Sequence, residues 1–215
     1  PSSLRWTASY LCPFRHPLVM YRRQILWEKL GGYDETISFA EDYEIWQRLL
    51  NNNYQGANLP EILLKYRVHP KSMMNTASTA TKTNTVSPMR KEYLDKLIPG
   101  YDREKEIVVN FFAIHNPNLA LATNAAMDTL RDQYVSIYLD GKMTKDLSIN
   151  MARERADIGY CLFPVNRWKA TSLMLKAIWQ YPGLLRELPV AKVIYLILFG
   201  ASGRELFRSF QSKSN

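Results

Sequence analysis

Two consecutive glycines, Gly31-Gly32, followed after a short loop by the acidic pair Glu41-Asp42, most constrain what this chain can fold into. Glycine enters the left-handed conformation without a Cβ penalty, so the pair stops the helical pattern predicted over Arg22–Leu30. A turn, Tyr33-Asp34-Glu35-Thr36, then leads into a second predicted helix from about Glu41 to Asn51. On that helix Tyr43, Trp46, Leu49 and Leu50 fall on one side, and Glu44 and Arg48 form an i,i+4 pair on the exposed side. Adjacent helical positions point about 100° apart, so Glu41 and Asp42 do not both face one small site. One can be a reacting carboxylate while the other holds the loop or a substrate hydroxyl. Taken alone, acids in a first helical turn are ordinary dipole-complementing residues, and Gly-Gly is an ordinary helix stop.

The surroundings read as mixed α/β. Leu18-Val19-Met20-Tyr21 is a short apolar run suited to a strand, and residues Leu63 to His69 alternate. Leu64, Tyr66 and Val68 would face a core, while Lys65, Arg67 and His69 would face solvent or a ligand. The predicted division is residues 1–72 as an α/β domain, 73–88 as a flexible linker or active-site loop, and 89–215 as a helical region. Helices are predicted at Met89–Leu97, Glu104–Ile114, Ala120–Tyr138, Ser148–Cys161, Trp168–Trp179 and Val190–Phe210, with a helical hairpin across Arg153–Pro182.

Composition narrows the class. A hydrophobic content of 47% with five Trp supports a packed core. Cys12 and Cys161 lack metal-type spacing, and there is no N-x-S/T sequon, so a reducing, cytoplasmic compartment is the simpler reading. Of the net +8, +6 lies beyond residue 152, where ten Lys/Arg stand against four Asp/Glu. That charge suits a membrane surface, nucleic acid or anionic substrates, but no nucleic-acid motif or aromatic-basic interleaving accompanies it, so nucleic acid is not expected as a partner. The apolar run Val190–Gly200 is too short to cross a bilayer, which takes about 20 residues. It reads as a buried helix or, with Lys192, Arg204 and Arg208, as a peripheral contact on the inner face of the membrane.

In order along the chain stand His16-Pro17-Leu18-Val19-Met20-Tyr21-Arg22-Arg23, Gly-Gly-Tyr-Asp-Glu, Ala40-Glu41-Asp42-Tyr43 with Trp46 and Arg48, and Ala57-Asn-Leu-Pro-Glu-Ile-Leu-Leu-Lys-Tyr-Arg-Val-His-Pro70. This ordered set, covering roughly residues 14–72, resembles the acceptor half of family-2 glycosyltransferases of the GT-A fold. The resemblance implies the C-terminal part of a Rossmann-like α/β domain that moves a sugar from a nucleotide-diphosphate donor to an acceptor hydroxyl, with inversion. It makes Asp42 the catalytic base and gives Glu41 the loop or the acceptor. Gly31 and Gly32 become the glycine loop beside donor sugar and acceptor, and His69 a ligand to a divalent metal (Mg or Mn) or a contact to the diphosphate. Arg67, on the predicted face of His69, would assist with phosphate charge. The acceptor implied is a glycan or lipid-linked glycan. One departure stands out: the family's Asp-x-Asp motif, which holds most of the metal, has no counterpart here, since no two aspartates lie two residues apart. The expectation is a fragment that begins after that motif and is inactive alone. The alternative is a non-catalytic, basic helical binding module on a degenerate transferase scaffold.

Overall fold

The computed structural model describes residues 2–59, 61–65, 67 and 76–186. Among them there is no strand: the elements are α1 (Ser2–Thr7), α2 (Glu41–Asn51), α3 (Thr79–Leu97), α4 (Asp102–Ile114), α5 (Ala120–Tyr138), α6 (Lys145–Leu162) and α7 (Arg167–Gln180), joined by short wide or tight helical turns. The expected Rossmann-like α/β fold is therefore overturned. The described residues form two compact units, one of those up to His115 together with Ala125–Met143, the other of Asn116–Asn124 with those from Thr144 onward.

Among the described residues neither predicted strand forms, for a physical reason. Pro17, with its fixed φ and no N–H, starts a single tight turn at His16–Leu18, and the residues after it stay exposed, Leu18 at 50% and Met20 at 100%. In the second stretch Leu63 and Leu64 are also exposed, and neither belongs to a ladder. Alternation makes a strand only when a neighbouring backbone accepts its hydrogen bonds and an apolar layer covers one face. Tyr66, Val68 and His69 lie outside the described residues.

The helical expectations fare better in the first unit. The segment predicted as Arg22–Leu30 is a wide turn, Gln24–Lys29, in which Leu30 N donates to Ile25 O at 3.0 Å and Gly32 N to Leu26 O at 2.8 Å. It ends at Gly31 and Gly32, whose φ angles of 79° and 73° require glycine. Helix α2 has the expected bounds and buries Tyr43, Ile45, Trp46, Gln47, Leu49 and Leu50. Tyr43 Oη and Gln47 Nε2 both donate to Ala8 O, at 2.7 and 2.9 Å, which fixes α2 to the turn after α1. Helix α3 extends well into the Ser/Thr-rich segment read as a loop. Ser78 caps it by accepting from Thr81 N at 3.0 Å. Its C-terminal half is held by burial of Tyr93, Leu94 and Leu97, and Arg90 donates to Tyr10 O at 2.8 Å. Lys105 is buried and satisfied by Asp95 at 2.8 Å.

In the second unit, α6 and α7 form the expected hairpin. Each starts at a side-chain cap, Thr144 accepting from Leu147 N and Asn166 accepting from Lys169 N. Small residues bring the helices together: Ala152, Ala156 and Gly159 on α6, Ala170 and Ala177 on α7. A Cβ on Gly159 would stand 3.1 Å from Met174 Sδ and 3.3 Å from Ala170 O. Arg155 ties the far end, donating to Gln180 Oε1 at 2.6 Å and Asn124 Oδ1 at 3.2 Å. No described helix is long and apolar enough to cross a membrane. The predicted helix Val190–Phe210 lies outside the described residues. Gly159→Val, which overpacks this contact, is expected to lower stability by about 1–3 kcal/mol in urea unfolding, whereas Ser at the exposed Tyr160 position should change it little.

Candidate functional site

The site is organised by helix α2 and the glycine loop before it. Arg48 is the joint. Its guanidinium meets Glu44 with two bonds, Nε to Oε1 at 2.9 Å and Nη2 to Oε2 at 2.8 Å. It also donates to two carbonyls of the glycine turn, Leu30 O and Gly32 O, the latter at 2.7 Å. The Glu44–Arg48 pair is thus the expected one, but it is part-buried and fastens the loop to the helix instead of standing in solvent. Gly32 is buried against Trp27, and a Cβ there would lie 2.5 Å from the indole ring. Gly31 has open space where a Cβ would be, so its backbone is accessible at the surface.

The loop closes with Asp34, whose Oδ1 accepts from Thr36 N at 2.9 Å and Thr36 Oγ1 at 2.6 Å. It enters α2 through Ala40, which sits in the left-handed region at φ 62°, ψ 32° and gives the helix no side-chain cap. A left-handed alanine costs roughly 1–2 kcal/mol, and such strain persists where surrounding structure imposes it, often beside functional groups. Glu41 and Asp42 follow at once.

Asp42 is half-buried. Burial pushes its carboxyl above the ordinary range; the Tyr43 N–H at 2.8 Å and His16 oppose this, and Glu41 adds to it. The net direction is opposite to the one a helix N-terminus alone would impose. Cys12 Sγ lies 3.9 Å from Asp42 Oδ2 and donates to Phe14 O at 3.2 Å. Burial, with Asp42 adding to it, pushes the Cys12 thiol up to about 12, so it is a neutral donor and not a nucleophile at neutral pH. On the other side His16 Nε2 lies 3.0 Å from Tyr33 Oη. Burial, then Tyr21, Asp42 and Glu41, raise the Tyr33 phenol.

Trp46 is the floor of this cluster, 2% exposed, with the rings of Phe14, His16 and Tyr21 at 5.7, 6.5 and 6.5 Å. Its Nε1 is buried and meets no acceptor among the described residues. The structure therefore brings together Gly31, Gly32, Glu41 and Asp42, and adds His16, Tyr33 and Cys12. Sequence reasoning gave His16 no role, took Tyr33 as a turn residue, and took Cys12 only as a cysteine without metal-type spacing. The available signal was position: Cys12 and His16 precede the glycine and acid motifs, and Tyr33 lies between them. Arg67 is exposed in an irregular stretch. His69 lies outside the described residues. Among the described residues no three of His, Cys, Asp and Glu stand close enough to hold a metal ion.

Over 69 residues the chain is 36% identical to the O-antigen biosynthesis glycosyltransferase WbnJ of Escherichia coli, covering 30% of this chain and 25% of that protein. It is 40% identical over 53 residues to an uncharacterized glycosyltransferase of Methanocaldococcus jannaschii, covering 25% of this chain and 18% of that one. An uncharacterized glycosyltransferase of Haemophilus influenzae is 39% identical over 57 residues, 26% of this chain and 20% of its own. The chain is related to glycosyltransferases. Its matches span about a quarter or less of these curated relatives. No protein-family model matches it, and no solved structure does.

Because Arg48 makes four bonds in a fixed fork, Arg48→Lys keeps the charge but leaves loop carbonyls unpaired. It should lower stability by about 1.5–3 kcal/mol in urea unfolding; a change below about 0.5 kcal/mol would show that the loop is held by other contacts.

Proposed function

We propose that this chain is the acceptor-side part of an inverting glycosyltransferase that uses a nucleotide-diphosphate sugar, with Asp42 as the base. The observation that carries the reading is the Asp42 carboxylate itself: half-buried, held above the usual carboxylate range by desolvation, and set behind a strained alanine beside the glycine turn. The acceptor oxygen forms a bond to the anomeric carbon as the bond from that carbon to the phosphate oxygen breaks, and the hydroxyl proton passes to Asp42. Proton removal by a positioned carboxylate is worth typically 10²–10⁴-fold, and a raised proton affinity favours the transfer.

Other residues support this chemistry. Glu41 holds the loop or an acceptor hydroxyl. Gly31 lets sugar approach the backbone, and Gly32 keeps the turn packed on Trp27. Arg67 carries charge toward the diphosphate. His69 keeps its expected role toward a divalent ion or the diphosphate. The similarity to an O-antigen biosynthesis enzyme favours a glycan or lipid-linked acceptor, which is consistent with polysaccharide or glycolipid assembly.

Asp42→Asn separates this role from a structural one. In the polypeptide that also carries the donor-binding half, it should lower transfer by at least 10² while leaving donor binding intact. The same change should stabilise the fold near pH 7. The folded carboxyl titrates above its unfolded value, so ionising Asp42 costs stability as pH rises through the carboxylate range, and Asn does not ionise. The stability gain should therefore shrink toward pH 3 in thermal melts. Near-normal transfer would remove Asp42 from the base role, whatever the melts show. His69→Ala should weaken metal-dependent donor binding in the same polypeptide, measured by titration with and without the ion.

A further inference from the structure

We propose that the outer face of helix α7 docks on an anionic lipid bilayer. Trp168 and Trp179 are each 88% exposed and Leu175 is 60% exposed, while Ala170, Leu173, Met174 and Ala177 of the same helix are buried. Helix α7 thus carries a second apolar seam that no described residue of its unit covers. Thr171, Ser172 and Lys176 complete an open groove with these three residues. At about 100° per residue, Trp168, Leu175 and Trp179 lie within about 40° of one another, along about 16 Å of helix. Arg167 falls about 100° to one side of Trp168; Lys176 and Lys169 fall about 80–100° to the other.

The helix carries three cations and no Asp or Glu. An apolar seam ended by two indoles and flanked by cations lies flat at headgroup depth, with the rings at the polar–apolar boundary and the cations reaching phosphates. Charge selects this occupant over a second copy of the chain. A second copy laid along α7 would bring another Arg167, Lys169 and Lys176 to the same contact, with no acid on either helix to pair with. An anionic bilayer pairs all three, and the +6 surplus beyond residue 152 adds long-range attraction. The proposal does not depend on the transferase reading.

The test is co-sedimentation of the 215-residue chain with phosphatidylcholine vesicles, with and without phosphatidylglycerol, at low and high salt. Binding is expected on the anionic vesicles, weaker at high salt, with Trp emission shifted to the blue. Trp168→Ser with Trp179→Ser should reduce partition by about tenfold or more, since the indoles supply most of the apolar contact. Lys169→Glu and Lys176→Glu should each reduce it by about fivefold. These positions are exposed, so circular dichroism should be unchanged in every variant. The proposal is overturned if the Trp double variant binds as the parent does, which would place membrane contact elsewhere, or if the parent does not bind. It is also overturned if the Trp substitutions dissolve a dimer seen in sedimentation while vesicle binding is absent.

Discussion

The Arg48 fork is the contact on which the candidate site depends. A helix stop made of two left-handed glycines leaves carbonyls at the turn with no helical partner. Arg48 supplies donors to two of them, and Glu44 supplies the countercharge that keeps the guanidinium in place. Only a planar, multiply donating cation serves helix and loop at once. Since Arg48 and Asp42 ride on the same helix, the fork also sets where the carboxylate stands relative to the glycine turn.

A second layer is aromatic. Trp46 lies under the loop with its ring buried, and Phe14, His16 and Tyr21 pack around it from the segment that holds the tight turn His16–Leu18. Tyr43 and Gln47 then join α2 to Ala8 O, so the helix is fixed at its buried face and at its loop face. Desolvation of Asp42 follows from this packing: the carboxylate sits where burial outweighs the helix N-terminus that would otherwise stabilise its charge. The strained Ala40 fits the same picture, because a backbone held on both sides tolerates a conformation it would otherwise leave.

The two units use different means of packing. The first buries large aromatic and aliphatic side chains such as Trp6, Tyr93, Phe111 and Tyr134. The second brings α6 and α7 close through Gly159, Ala170 and Ala177 and satisfies its polar ends through Arg155 and Gln180. The packed side of α7 combines small residues with Leu173 and Met174, and Trp168, Leu175 and Trp179 are left on the other.

What could be read from the residues was local. Gly31-Gly32 as a helix stop, α2 with its buried Trp46, the Glu44–Arg48 pair and the α6–α7 hairpin all follow from rules that span one or two helical turns. Among the described residues the strands were misread because alternation from 63 and an apolar run at 18–21 have no meaning without a partner strand, and pairing is non-local. Helix α3 was cut short for the converse reason. Its Thr, Ser and Pro88 lower intrinsic propensity, and only tertiary packing of its second half sustains it. Tertiary structure alone decided that Arg48 reaches the glycine turn, that His16, Tyr33 and Cys12 gather around Asp42, and that burial raises its carboxyl. Each depends on side chains brought together across loops whose path no local period specifies.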